Sequence, residues 1–357
     1  MKYLIHCGPG IGDFIIVLPM AQIIKENDPK SKITIFTRSD KERIQYLKEM
    51  LTLQTYIDEV LYYNPREPIH DIPFLLSIGI NKYDYGFKSS YIDNGYISNI
   101  PYLIIKIASK KTVGITLKNK PNFHFNHEVR FNSERSVYLR GVRLVNELGY
   151  AGKGVSGQPL FSKEKIMSLL PNKYLIKSYG SIISLVVGAA DAPVTADGKH
   201  GSKPAKRWPY TYWIDLAKMF IKNGYQVVLL GGEREGKELQ NLNISYDINN
   251  YCGKCSITES IGLICQSILV IGSDTGLMHC AGALGVPSLT LFGCTSYKDY
   301  LFPSEKSFHL ESCLDCSPCF GTDSLLYCKD YKCMKELLPI TVFEYSNSII
   351  KGMSHEC

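Results

Sequence analysis

Residues 270–293 read VIGSDTGLMHCAGALGVPSLTLFG, and this stretch decides the fold class. A short apolar run ends abruptly at Gly272-Ser273-Asp274-Thr275-Gly276. A helix-like segment follows, with small residues at Ala281, Gly282, Ala283 and Gly285. Val286-Pro287 then opens a second apolar run that ends at Phe292-Gly293. The order strand, turn, helix, strand is the unit from which parallel sheets are built. Ser273, Asp274 and Thr275 all offer N-cap side chains at the helix start. A helix start has unpaired backbone N–H groups and a partial positive charge, which suits it to phosphate.

The same grammar recurs on both sides. Towards the N-terminus, apolar residues 2–7 lead into Gly8-Pro9-Gly10-Ile11-Gly12-Asp13, then a helix expected at 14–26 and a strand at 32–37. A dinucleotide fingerprint needs glycines at 8, 10 and 13, but position 13 is Asp. The second strand ends Phe36-Thr37-Arg38 rather than in an acidic ribose ligand, so Arg38 leaves an NADP reading open. Strands are expected at 59–63, 83–87 and 112–115. Helices are expected at 92–109 and 134–148, the latter stopped by Gly149. Residues 150–172, rich in Gly and Pro, read as a linker. A second series begins with a strand at 181–187. The long polar stretch 188–205 follows, of a kind that is usually mobile or functional. Next come a helix at 208–222 with Pro209 in its first turn, a strand at 226–230, the turn Gly231-Gly232, a helix at 233–242, a strand near 246–248 and a helix at 257–266. A last helix is expected at 342–351. Two such series imply an α/β chain of two doubly wound, Rossmann-like domains facing across a cleft. The expected boundaries are 1–172, 173–335 and a C-terminal helix in 336–357.

Composition narrows the function classes. The 357 residues, 45% of them hydrophobic and 21% charged, are ordinary for a globular chain of two domains. The net charge of +6 favours anionic partners such as phosphates or an acidic membrane surface, and is too diffuse to indicate nucleic acid. The first apolar stretch is broken by glycines and lacks the long core of a secretory signal. No run reaches the ~18 apolar residues of a spanning segment. A cytoplasmic protein, at most peripheral at the inner face of a membrane, is expected, and in that compartment the 12 cysteines do not form a disulfide framework.

Four segments occur in a recognisable order: IGDFIIVLP (11–19), KRWP (206–209), LLGGERE (229–235) and the 272–293 block. With the tail CSPC (316–319), Cys333-Met334 and LLPITVFE (337–344), they resemble glycosyltransferase family nine, the heptosyltransferases of lipopolysaccharide core assembly. The resemblance is strong over 180–295 and thin over 40–150. It implies a GT-B fold and an inverting transfer of heptose or a related sugar from an ADP-sugar to a hydroxyl of a lipopolysaccharide inner-core acceptor. It implies no metal for catalysis. A protein acceptor is the alternative within the class. An NADP-dependent oxidoreductase and a non-catalytic nucleotide-sugar-binding module are the alternatives outside it.

The site residues take their roles from this reading. Asp13 matches the family's proposed base; on its own it also reads as a helix cap. A carboxylate is an adequate base because the attacking hydroxyl becomes strongly acidic only late in the reaction. Gly10 and Gly12 would let an acceptor approach closely, and His127 is a further acceptor-binding candidate, as are the basic residues Arg130, Arg135, Arg140 and Arg143. Lys206, the family's phosphate-binding lysine, and Arg207 would stabilise the leaving diphosphate. Glu233 would accept hydrogen bonds from ribose hydroxyls, with Glu235 its competitor. Ser273, Thr275 and Gly276 are donor-binding candidates. A carboxylate repels a diphosphate, so Asp274 reads as a cap or a sugar ligand. Met278 and His279 lie one turn on, and Trp208 reads as packing. Finally, Cys313, Cys316, Cys319, Cys328 and Cys333 carry C-x2-C spacing that suits structural zinc or iron; the alternative is unligated thiols. Cys252 and Cys255 form a separate pair. The expected partners are an ADP-sugar and an anionic glycolipid or protein acceptor, and no nucleic acid.

Overall fold

A computed structural model describes the chain except residues 39–40, 65–71, 89–95, 117–124, 131–134, 153–158, 177–181, 194–200, 243–246 and 355–357. The chain divides into two compact units, Met1–Leu160 and Phe161–Cys357.

The first unit runs β1 (Lys2–His6), α1 (Ile11–Asn27), β2 (Lys32–Arg38), α2 (Lys41–Thr52), β3 (Glu59–Tyr63), α3 (Ile72–Ile78), β4 (Tyr83–Lys88), α4 (Tyr96–Ala108), β5 (Ser109–Thr116), β6 (His127–Arg130) and α5 (Val137–Asn146). Its six strands are all parallel, in the order β3-β2-β1-β4-β5-β6. Strands buried on both faces need continuous apolar runs, and Tyr3, Leu4 and Ile5 of β1 are all fully buried. The chain moves one way from β1 to β3 and the other way from β4 to β6. Right-handed crossovers therefore put α1 and α2 on one face and α3 and α4 on the other. α5 packs on α1 at Gly141, where an added Cβ would meet the Met20 Cβ at an ordinary contact distance of 3.6 Å. Gly149, with φ of +77°, ends α5 as its sequence position predicts.

The second unit runs α6 (Lys163–Leu169), β7 (Ile182–Val186), the two-residue strands β8 (Ala192–Pro193) and β9 (Ser202–Lys203), α7 (Tyr210–Lys222), β10 (Gln226–Leu230), α8 (Glu233–Gln240), β11 (Ile248–Asn250), α9 (Ile257–Cys265), β12 (Leu269–Ser273), α10 (Gly276–Ala283), β13 (Ser288–Phe292), α11 (Tyr297–Tyr300), β14 (Ser307–Glu311), α12 (Ser324–Tyr327), α13 (Lys332–Lys335) and α14 (Pro339–Ser354). The sheet order β11-β10-β7-β12-β13-β14 repeats that of the first unit. Its core joins sheet residues such as Leu185, Leu229 and Ile271 to Trp208, Trp213 and Phe220. The C-terminal residues Met334, Leu337, Val342 and Ile349 complete it.

Two boundaries differ from the sequence reading. The stretch read as linker contains α6, whose start Ser162 caps by accepting from Lys165 N–H at 3.2 Å. Ile166 of α6 is fully buried, and the divide between units falls at 160/161 rather than 172/173. The glycines and prolines around this short helix hid its period. The last helix belongs to the second unit, where Phe343 meets Phe220 edge-on with ring centroids 5.1 Å apart.

Candidate functional site

Doubly wound sheets collect ligands where the direction of winding reverses, beyond the C-terminal ends of the strands. In the first unit this point lies between β1 and β4, and the Gly8–Asp13 turn leaves β1 there. Asp13 occupies the first turn of α1, and its Oδ2 accepts the Gly10 N–H at 2.9 Å. The carboxylate therefore does cap the helix, and it remains partly exposed. Gly8 is required for this: a Cβ there would sit 2.4 Å from the Asp13 Cγ. Two residues not singled out from sequence stand beside the turn. His6 and Lys88 are register partners at the ends of β1 and β4, and Lys88 is only 2% exposed. Burial, aided by the Lys88 charge, pushes His6 down to about 3, so its imidazole is neutral.

The structure does not bring His127 to Asp13. His127 opens β6, level with Val113, and lies three strands across from β1. At ~4.8 Å per strand that is about 14 Å. Its ring neighbours Tyr85, with centroids 6.3 Å apart. Arg140 reaches back along its own helix to donate to the Arg135 carbonyl at 2.7 Å. The Arg130 side chain lies outside the described residues.

In the second unit the reversal lies between β7 and β12. Asp274 follows β12 and is 4% exposed. The Lys206 ammonium donates to its Oδ2 at 2.9 Å, and the His279 Nε2 lies 3.5 Å from its Oδ1. Burial alone would push Asp274 up. The charge of Lys206 and the polarity of His279 outweigh it and hold the carboxyl below its ordinary value. Burial lowers His279, against the pull of Asp274. The Lys206 ammonium also lies 5.7 Å from the Phe320 ring centre and 5.9 Å from that of Tyr300, a geometry in which ring faces attract a cation. A small pocket adjoins this cluster, lined by Asp274, His279, Ser288, Thr290 and Tyr300 among others.

Asp274 does not cap α10. The helix begins one residue later, with Thr275 as N-cap, and the Thr275 side chain makes no capping bond. The sequence offered three consecutive capping residues; Lys206 from far along the chain, with His279 of α10 and Thr295, claims the middle one. Ser273 is buried at the end of β12, and Gly276 is the first residue of α10. Met278 is 4% exposed and packs inward: a Cβ on Gly272 would meet its Sδ at 2.5 Å.

Trp208 is core, as expected. Its Nε1–H donates to the Leu337 carbonyl at 2.8 Å, and its ring meets Trp213 edge-on at 4.6 Å. This fixes the Lys206-Arg207 step from behind. Arg207 is engaged by Asp191, a residue the sequence reading passed over. Arg234, also passed over, donates to the Ala189 carbonyl at 2.7 Å and pairs with Glu235. The described ends of the 188–205 stretch are thus tied down. Lys203 donates to the Leu326 and Cys328 carbonyls at 2.5 and 2.8 Å. Glu235 is 5% exposed and caps α8 by accepting the Gly232 N–H at 2.9 Å. Glu233 stands exposed at the first position of that helix.

The five C-terminal cysteines divide by environment. Cys313 and Cys316 are exposed, Cys328 is intermediate, and Cys319 and Cys333 are buried. Among the described residues no three His, Cys, Asp or Glu side chains are arranged to hold a metal. Burial, with Cys319 and Cys328 nearby, pushes the Cys333 thiol up to about 11. Cys319 instead packs with Ala192, Ala205, Cys294 and Leu325.

No helix among the described residues is long and apolar enough to cross a membrane. Residues 187–329 match the family model described as glycosyltransferase family 9 (heptosyltransferase). A lipooligosaccharide heptosyltransferase 2 from Haemophilus influenzae is 36% identical over 100 residues, which is 26% of this chain and 29% of that enzyme. The match thus spans under a third of the length of that relative. The enzyme of the same name from Campylobacter jejuni is 22% identical over 99% of both chains. Among solved structures, Escherichia coli ADP-heptose lipopolysaccharide heptosyltransferase II aligns over all of both chains, with a TM-score of 0.68 at 21% identity. With the two doubly wound units, this likeness gives the fold as GT-B. The matched segment begins at the end of β7 and includes Lys206, Glu233, Asp274 and His279.

Proposed function

We propose that the chain is an inverting glycosyltransferase that moves heptose from ADP-heptose to a hydroxyl of an anionic, lipopolysaccharide-type acceptor. The observation that carries this reading is the buried Lys206–Asp274–His279 cluster at the winding reversal of the second unit. A nucleotide diphosphate needs cationic and N–H donors, and this reversal collects them. The Lys206 ammonium supplies the cation, held at 2.9 Å from the Asp274 carboxylate. The N-terminus of α10 adds the Gly276 backbone and the uncommitted Thr275 hydroxyl. Asp274 fixes the Lys206 head group, and its remaining acceptor capacity suits sugar hydroxyls better than phosphate. Glu233, with Glu235 committed to its cap, supplies the carboxylate for ribose hydroxyls.

In the reaction the acceptor oxygen forms a bond to the anomeric carbon as the bond from that carbon to the diphosphate oxygen breaks. Asp13 takes the proton of the attacking hydroxyl, while Lys206 and the α10 N-terminus stabilise the charge that grows on ADP. Lys88, at the same end of the first sheet, adds positive charge for an acidic acceptor. In this reading the C-terminal thiols serve as packing, and no step runs through a metal.

The test is turnover with a panel of nucleotide sugars, followed by mass spectrometry. Transfer or hydrolysis of ADP-heptose is expected. Asp13→Asn is expected to lower turnover by about 10²–10⁴-fold with ADP affinity retained by calorimetry. Failure to bind any ADP-sugar defeats the reading, and unchanged turnover in Asp13→Asn defeats the base assignment.

A further inference from the structure

The first unit carries an apolar surface that its own core does not use. The buried sides of α3 and α4 enter one cluster: Phe74 and Ile78 from α3, and Ile104, Ile105 and Ala108 from α4. The two helices lie on the same face of the sheet, and the turn after α3 is bound to the end of α4 by the Asn81 N–H to Ile107 carbonyl bond of 3.0 Å. Their outer sides should then be polar. Instead Leu75 and Leu76 on α3, Ile80 in the turn after it, and Leu103 and Ile107 on α4 are between 52% and 79% exposed. Leu103 and Ile107 are four residues apart, hence on one stripe of α4.

The charge around these residues has one sign. Segments 72–83 and 100–112 hold Lys82, Lys106, Lys110 and Lys111 and no acidic residue. Asp84, just beyond the first segment, pairs with Lys110 at 2.9 Å and accepts the Lys2 N–H at 2.8 Å. The Lys106 ammonium stands 5.9 Å from the Tyr102 ring centre, and Lys82 donates to the Ser77 carbonyl at 2.6 Å. Neither contact cancels charge. An apolar patch in a basic rim is the pattern that binds anionic bilayers, with aliphatic side chains entering the interface and lysines meeting headgroup phosphates. A second copy of the chain fits worse, since a two-fold contact would set the same lysines against each other.

We infer that the outer face of α3 and α4 docks the chain on an anionic membrane surface. This goes beyond the proposed transfer reaction and does not depend on which sugar is moved. Co-sedimentation of the full chain with vesicles tests it, comparing phosphatidylcholine alone with phosphatidylcholine containing phosphatidylglycerol. Binding to the anionic vesicles only is expected, and it should weaken as salt rises above about 0.1 M. Leu103→Ser/Ile107→Ser and Leu76→Ser/Ile80→Ser are each expected to lower the partition at least about tenfold. Lys82→Gln/Lys106→Gln should lower it by about fivefold per lysine. The substituted side chains are exposed, so thermal midpoints should hold, and the lysine pair gives a readout independent of the apolar ones. Equal binding to neutral vesicles, no binding to either, or wild-type binding by all three variants would overturn the inference. So would a concentration-dependent dimer that the Leu103→Ser/Ile107→Ser variant abolishes.

Discussion

Replacing Lys206 with Met removes the cation from a carboxylate that water scarcely reaches. Asp274 is 4% exposed, and its ammonium partner is 2.9 Å away. Breaking a buried pair by removing one partner costs ~3–5 kcal/mol, because the other charge stays buried. Lys206 is itself 19% exposed and His279 still adjoins Asp274, so the lower end, about 3 kcal/mol, applies. The pH dependence changes sign. In the wild type the depressed Asp274 carboxyl contributes stability above its unfolded value, and this is lost as pH falls through the lower folded value. In Lys206→Met burial dominates and raises the carboxyl. Stability then falls as pH rises above ~4, and the deficit is smaller at pH ~5 than at pH ~7. Both tryptophans, Trp208 and Trp213, lie in the second unit, so their fluorescence on heating reports that unit alone. At ~2–4 °C per kcal/mol for a unit of this size, the midpoint at pH ~7 should drop by about 6–12 °C. Adding Asp274→Asn to Lys206→Met should recover most of it. A drop under about 2 °C, or no recovery in the double variant, refutes the argument.

Other expectations can be read from close approaches. Gly8→Ala places a Cβ 2.4 Å from the Asp13 Cγ. The displaced carboxylate should cost about 1 kcal/mol of cap energy and at least about tenfold in transfer rate, measured on the same preparation. Gly272→Ala drives a Cβ into the Met278 Sδ at 2.5 Å and the Val186 Cβ at 2.9 Å. It should destabilise the second unit by ~1–3 kcal/mol by tryptophan fluorescence, and a neutral result would show that Met278 swings aside freely. Elemental analysis of protein purified under reducing conditions should give far less than one zinc or iron per chain. A full equivalent, lost on Cys319→Ser, would show that the thiols close around an ion.

What could be read in advance was what neighbouring residues determine. The strands at 59–63 and 226–230 were found at their predicted bounds because each is a short apolar run between turn residues. α3, with seven residues, and α6, set among glycines and prolines, are too short to show a helical period. The site followed the same division. The Asp13 turn and the strand-turn-helix unit around Asp274 were legible as local motifs. What Asp274 faces was not, because Lys206 lies 68 residues away along the chain. Which of Glu233 and Glu235 folds back on Gly232 could not be read from the turn either. Asp191, Arg234 and Lys88 gain significance only from the partners that loops and strand register give them.

The bond from Trp208 to the Leu337 carbonyl has a consequence for the order in which the protein is made. The core behind Lys206 includes Met334, Leu337, Val342 and Ile349, which leave the ribosome long after Trp208 itself. The first unit holds its own sheet within Met1–Leu160 and can close while the rest is still being translated. The second unit cannot bury Trp208, or settle the lysine beside it, until residues 334–349 have been made. A chain ended by premature termination before residue 334 would therefore carry a formed first half and an unfinished second one.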